Sequence, residues 1–140
     1  MKLAIPKIDV TADVAYMGLT TSGDMEAPKT NEDAGWYKYG PHPGNPGSAV
    51  IAGHLGVGSN AIFAQLNLLA KGDIVSVSDD RGQTVSFRVT HVRTYAYDTE
   101  PSEVFKSASG AHLNLITCNG DWDVAKRTYS ERLVVFTDKV

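Results

Sequence analysis

The chain has 140 residues, 42% of them hydrophobic, and carries 13 lysines and arginines against 16 aspartates and glutamates. This length fits one domain that can bury a core without disulfides or a structural metal. The net charge of −3 has no run of one sign, which argues against polyanion binding, and no stretch of about 18 apolar residues indicates a membrane span.

Short apolar or alternating segments predict an all-β fold. The predicted strands cover residues 3–10, 14–19, 49–53, 74–78, 84–95, 112–118 and 133–137. Asp80-Arg81-Gly82 predicts a hairpin loop before the strand at 84–95, with Gly82 at positive φ. Two short helices are predicted, one at residues 60–69 from the spacing of its apolar residues and one at residues 101–106.

The single cysteine, Cys118, follows an apolar run and precedes the turn-forming pair Asn119-Gly120. A thiol that cannot form a disulfide within its own chain is either a small buried hydrophobe or a nucleophile. Its predicted position at a strand-to-loop junction favours the nucleophile, because functional side chains are commonly presented at such junctions.

A catalytic thiol needs a partner that handles protons, since an unperturbed cysteine is only slightly ionised at neutral pH. Of the four histidines, only His54 also closes an apolar strand. His42 lies in a Pro- and Gly-rich loop and is expected to be solvated, His91 lies inside a strand, and His112 begins the strand that contains Cys118. His54 is the predicted partner, and a merely polar strand end is the alternative.

The chain resembles the sortase family of cysteine transpeptidases over nearly its whole length. The matching stretches are Ile5-Pro6-Lys7-Ile8, Gly35-Trp36-Tyr37, residues 43–54, residues 63–73, Leu115-Ile116-Thr117-Cys118 and residues 132–136. Gly35-Trp36-Tyr37 and residues 118–123 are most similar to the class F sortases of actinobacteria. The resemblance implies a closed eight-stranded β-barrel with short helices on its rim, formed by residues 1–140 as one catalytic domain.

By this resemblance, Cys118 attacks the threonine carbonyl of a Leu-Pro-any-Thr-Gly-like sorting motif, and an amine resolves the thioacyl enzyme. His54 would move protons in both half-reactions, and an arginine would stabilise the oxyanion. Arg132, at the predicted start of the last strand, is preferred over Arg127 in the preceding loop, because a strand holds the guanidinium more rigidly. Thr117, Asn119 and Trp122 are expected to bind substrate.

No cofactor and no metal are expected, because Asp121 and Asp123 lack the further oxygens that a Ca²⁺ site requires. The resemblance implies two partners, surface proteins with a C-terminal sorting motif and an amine acceptor such as a peptidoglycan precursor or a pilin lysine, and no nucleic acid. It also implies work at the extracellular face of the cell membrane through an N-terminal anchor, so this chain is expected to be a soluble catalytic piece.

Two other functions remain open from the sequence. In a non-catalytic β-barrel binding module, Cys118 would be an inert core residue, and its reactivity with iodoacetamide would separate the two cases. An L,D-transpeptidase also combines a β-rich fold with cysteine and histidine, but its usual Ser-His-Gly motif before the cysteine is absent here.

Overall fold

The computed structural model describes residues 1–21, 25–55, 61–96, 104, 109–125 and 128–140, and for residues 118–123 and 128–129 it describes the backbone alone. Eight strands form a closed barrel. They are β1 (Lys2–Ile5), β2 (Val10–Met17), β3 (Ala34–Tyr37), β4 (Gly47–Ala52), β5 (Ile74–Ser78), β6 (Thr84–Ala96), β7 (Ala111–Asp123) and β8 (Thr128–Lys139). Around the barrel their order is β1-β2-β3-β4-β7-β8-β6-β5. The pairs β2–β3 and β4–β7 are parallel, and the other pairs are antiparallel.

Alternating residues of the strands bury two apolar clusters on opposite faces of the sheet. The larger cluster fills the barrel and includes Leu113 and Leu115 of β7. A second group of residues, here called the outer cluster, covers the other face of β4, β7 and β8. Its buried members are Val50, Val104, Val134 and Phe136, and the partly buried Met25, Tyr37, Tyr95 and Ile116 pack against them. Both faces of β4 and β7 are therefore packed against apolar side chains, which holds the backbone of these two strands rigidly.

The prediction of a closed eight-stranded β-barrel is confirmed. The strand at 74–78 is observed as β5, and Gly82 of the hairpin has φ of 79° as predicted. The predicted strand at 3–10 is instead β1, a 3₁₀ turn at Pro6–Ile8 and the start of β2, because Pro6 removes a ladder donor. β3 was not predicted, since its four residues, Ala-Gly-Trp-Tyr, are too few to show alternation.

The predicted helix at 60–69 is wrong, and its described part contains only the 3₁₀ turn Leu66–Leu68. The N–H of Leu66 bonds to the carbonyl of Phe63, and the N–H of Leu69 bonds to that of Leu66. These bonds span three residues, so the buried side chains of Phe63, Leu66 and Leu69 follow successive tight turns. The predicted helix at 101–106 lies outside the described residues except for Val104, which is helical.

Two predicted strand ends are also wrong. β7 continues through Cys118 to Asp123, with a register irregularity between Asn119 and Trp122. β8 begins at Thr128, so Arg132 lies within the strand and not at its start. Polar residues dominate both extensions, which is why the apolar pattern stopped short of them. Within the described ranges, no helical segment has the length and hydropathy needed to cross a bilayer.

Candidate active site

The parallel pairing of β4 with β7 aligns the end of β4 with Cys118. Ala52 is the Cα partner of Ile116, and the N–H of Gly53 donates to the carbonyl of Ile116 at 3.2 Å. His54 lies two residues beyond Ala52, and Cys118 lies two residues beyond Ile116. The register of the two strands therefore directs the chain after β4 towards the part of β7 that contains Cys118.

The antiparallel pairing of β7 with β8 brings an arginine to the other side of the cysteine. Cys118 is the Cα partner of Arg132. Arg132 is half-buried, and its Nη1 donates to the carbonyl of Glu131 at 3.1 Å. Neighbouring strands lie about 4.8 Å apart, so Cys118 and Arg132 are direct neighbours across β7 and β8, and β4 ends on the opposite side of β7, two residues before His54. The backbone thus pairs Cys118 with Arg132 and ends β4 on the other side of the strand that contains Cys118.

The imidazole of His54 is held by a residue from another part of the chain. His54 is half-buried, and its Nε2 forms a hydrogen bond with the carbonyl oxygen of Pro28. A carbonyl can only accept, so Nε2 carries the proton and the neutral ring has its lone pair on Nδ1. On the backbone side, the carbonyl of His54 accepts from the N–H of Phe63 at 3.1 Å.

Gly53 permits the close packing that presents His54. A Cβ at this position would lie 2.6 Å from Cδ2 of Phe63 and 2.9 Å from Cγ2 of Ile62. Real Cβ atoms do not approach other atoms so closely, so only glycine allows β4 to end against these two side chains. The glycine before His54 therefore helps to fix the backbone position from which the imidazole extends.

The predicted substrate-binding residues lie on β7, within four residues of Cys118 in the sequence. Thr117 is buried, and its Oγ1 has no hydrogen-bond partner in the described part of the chain. Asn119 is the Cα partner of Glu131, and Trp122 is the Cα partner of Tyr129, but the side chains of Asn119 and Trp122 lie outside the description. Arg127, the alternative arginine, also lies outside the described residues.

A buried polar contact that the sequence analysis missed supports the outer cluster. The Nδ2 of Asn114 donates to the carbonyl of Val104 at 2.7 Å, and both residues are buried. This bond ties the connection between β6 and β7 to β7 itself. The available signal was the asparagine inside the apolar run Leu113-Asn114-Leu115, because a buried amide requires a partner.

The other three histidines serve structural contacts. His42 is partly exposed and packs edge-on against Trp36, with ring centroids 5.4 Å apart. His91 stacks on Phe136 at 4.4 Å. Among the residues described, no group of three or more His, Cys, Asp and Glu side chains could hold a metal ion.

His112 forms a charged contact at the other end of β7. Its Nδ1 bonds to Oδ1 of Asp138 at 2.7 Å, and its Nε2 bonds to the carbonyl of Ser109 at 2.7 Å. Burial opposes the charged form, but the bond to the Ser109 carbonyl and the interaction with Asp138 outweigh it and raise the pKa of His112 above 6.5. Both ring nitrogens donate only when the ring is protonated, so this contact favours the imidazolium.

A family model for the sortase domain matches residues 3–140. The chain belongs to the sortase family. This membership makes it a sorting-motif-cleaving cysteine transpeptidase of the kind that anchors surface proteins. A search of curated proteins found no match to the chain.

Solved sortase structures share the barrel. Sortase C-1 from Actinomyces oris matches with a TM-score of 0.78 and 25% identity, over 99% of this chain and 72% of that one. A lid mutant of sortase A from Corynebacterium diphtheriae matches with a TM-score of 0.76 and 24% identity, over 99% and 68%. Sortase A from Listeria monocytogenes matches with a TM-score of 0.77 and 21% identity, over 99% and 85%. These similar structures are sortases A and C by name.

Proposed function

We propose that Cys118, His54 and Arg132 carry the transpeptidation, with Cys118 as the nucleophile. Two observations support this assignment: Cys118 is the Cα partner of Arg132, and β4, which is paired with β7 on its other side, ends two residues before His54. Cysteine, histidine and arginine supply an anionic sulfur, a proton carrier and a fixed pair of donors, which together meet the needs of acyl transfer.

In the first half-reaction, the Cys118 thiolate attacks the threonine carbonyl of a Leu-Pro-any-Thr-Gly-like motif. Arg132 stabilises the tetrahedral oxyanion, because a guanidinium offers planar donors that a lysine cannot reproduce. The carbon–nitrogen bond between threonine and glycine breaks, and the protonated His54 gives its proton to the departing amine. The products are a thioacyl enzyme and the glycine-containing end of the substrate.

In the second half-reaction, an amine attacks the thioester carbonyl and displaces the Cys118 sulfur. His54 accepts the proton of the attacking amine and returns to its protonated form, so each complete cycle restores the starting state. A peptidoglycan precursor or a pilin lysine is the proposed amine acceptor, and surface proteins with a C-terminal sorting motif are the proposed acyl donors. No cofactor enters this scheme.

The sorting motif is proposed to bind along β7 and its neighbours. Thr117, Asn119 and Trp122 are its proposed contacts, and the outer cluster at Ile116 supplies apolar groups next to them along β7. Apolar groups there suit the leucine and proline of the motif, because apolar contact removes both from water.

We also propose that residues 1–140 form a single catalytic domain of the class F type. The class rests on the resemblance of Gly35-Trp36-Tyr37 and residues 118–123. The family relationship supports work at the extracellular face of the cell membrane, with the catalytic domain held there by a membrane anchor.

Intact-protein mass spectrometry with a library of sorting-motif peptides tests the nucleophile and the motif together. We expect the wild type to gain the mass of the acyl portion up to threonine, with the modification on Cys118, and Cys118→Ala to gain none while it melts at the same temperature. Cleavage by Cys118→Ala would contradict the mechanism. A folded wild type whose thiol resists both the peptides and iodoacetamide would indicate a binding module.

Paired arginine variants test which guanidinium acts in the reaction. Arg132→Lys keeps the charge but loses the planar donors, and we expect kcat to fall by roughly 10²–10³-fold. Arg127→Lys is the matched control and should retain kcat within about threefold. The reverse pattern would assign the role to Arg127.

A further inference from the structure

Residues 25–33 form an irregular connection that reaches from the end of β2 to the imidazole of His54. β2 and β3 are parallel, so the chain must return from Met17 to Ala34, the Cα partner of Val14. A connection between parallel strands often contains a helix, but the described part of the connection between β2 and β3 contains none. Met25 packs against the outer cluster, and Pro28 is buried.

Hydrogen bonds fix this connection on both sides of Pro28. The N–H of Glu26 donates to the carbonyl of Gly18 at 2.9 Å, and Oε1 of Glu26 accepts from the N–H of Gly18 at 2.8 Å. On the other side, the carbonyl of Asn31 accepts from the N–H of Ile62 at 2.8 Å. These bonds attach the connection to the end of β2 and to the segment that follows His54.

The Pro28 carbonyl is presented with little freedom. The proline ring fixes φ near −65°, and the ring lies against β3, with Cγ 3.2 Å from where a Cβ of Gly35 would be. The carbonyl oxygen accepts from Nε2 of His54. Pro28 therefore orients the imidazole about its Cβ–Cγ bond and selects which nitrogen carries the proton.

We infer that the carbonyl of Pro28 is a positioning group of the transpeptidation: by accepting the Nε2 proton of His54, it leaves Nδ1 as the nitrogen that exchanges protons with the substrate and the amine acceptor. This inference rests on the proposed catalytic role of His54. A backbone group acts here because a carbonyl accepts a hydrogen bond at every pH, whereas a carboxylate partner would itself titrate.

NMR of the imidazole nitrogens tests the inference, with ¹⁵N-histidine-labelled protein and His54→Asn to assign the signals. A ring N–H held by a protein acceptor exchanges slowly enough to be seen, whereas a solvent-exposed one does not. We expect a downfield proton on Nε2 of His54 in the wild type. Pro28→Gly frees φ and removes the ring, and should lose this signal and lower kcat roughly 10–100-fold with KM nearly unchanged.

Glu26 provides a matched pair that leaves Pro28 intact. Glu26→Ala removes the acceptor for the Gly18 N–H and should weaken the His54 signal and kcat together, whereas Glu26→Gln keeps a side-chain oxygen and should retain both. The ring signals of His112, which bonds to Asp138 and Ser109, report in every sample whether the barrel is folded. If Pro28→Gly does not fold, the Glu26 pair decides.

Three results would overturn the inference. The first is a wild-type proton on Nδ1 in the neutral ring, and the second is no protected Nε2 proton at all. The third is full kcat in a folded variant that has lost the signal. Acylation of Cys118 is measured in the same wild-type sample: acylation without the signal refutes only the role of Pro28, whereas no acylation by any peptide refutes the proposed function and the inference together.

Discussion

Gly53→Ala tests how the end of β4 presents His54. The added methyl group would lie 2.6 Å from Cδ2 of Phe63 and 2.9 Å from Cγ2 of Ile62. Phe63 is fully buried, so its ring has no open space into which to turn. Overpacking of this kind costs about 1–3 kcal/mol. With an unfolding entropy of about 2.1 cal/mol/K per residue, a chain of 140 residues should melt roughly 3–10 °C lower.

The assay is thermal unfolding of Gly53→Ala, Phe63→Leu and the double variant, read as a double-mutant cycle. Phe63→Leu alone destabilises by removing buried ring atoms, but it also creates the space that the new methyl group needs. The two changes should therefore destabilise less together than the sum of the single variants. A Gly53→Ala protein within about 0.5 kcal/mol of the wild type, or a cycle with no coupling, would refute the packing argument.

Two further predictions concern β7. Because the pKa of His112 is raised, its contacts with Asp138 and Ser109 stabilise the fold fully below about pH 6.5, and this contribution is lost as the pH rises through the folded-state pKa. Denaturant titrations from pH 5 to pH 9 should therefore show a fall in stability that His112→Asn removes, and an identical fall in the variant would contradict the assignment. Thr117→Val should leave the free energy of unfolding unchanged or raise it, because the buried hydroxyl has no partner in the described structure. The control Thr137→Val should lose about 1 kcal/mol, because Oγ1 of Thr137 donates to the Leu113 carbonyl at 2.7 Å. A fall in kcat/KM for folded Thr117→Val would support its proposed contact with substrate, and unchanged kinetics would remove it from the site.

The sequence predicted the barrel and its central strands well, because those strands carry the apolar pattern. β5 matched to the residue, since Ile74–Ser78 alternates between core and surface and is bounded by turns. His54 was correctly predicted to follow a strand end. The sequence did not predict which strands pair, because β4 and β7 are separated by many residues and no local pattern encodes their parallel register.

The contacts that surround the candidate site were the hardest part to predict. Pro28 acts through a carbonyl, a group that every residue possesses, so its side chain gave no signal. The helix at 60–69 was wrong because Phe63, Leu66 and Leu69 are spaced by three, and this spacing fits successive 3₁₀ turns as well as one face of an α-helix. The extensions of β7 and β8 are polar, so no apolar pattern predicts them. They are strands because their backbones pair with each other.

The position of β8 has a consequence for how this enzyme matures. β8 lies between β6 and β7 in the barrel, so two strands made earlier cannot join their edges until residues 128–139 have been synthesised and inserted. Such distant pairings raise the contact order and slow folding. Until that last insertion, the cysteine-bearing strand lacks the neighbour that contains Arg132, so an incomplete chain carries its thiol without the arginine proposed to make it productive.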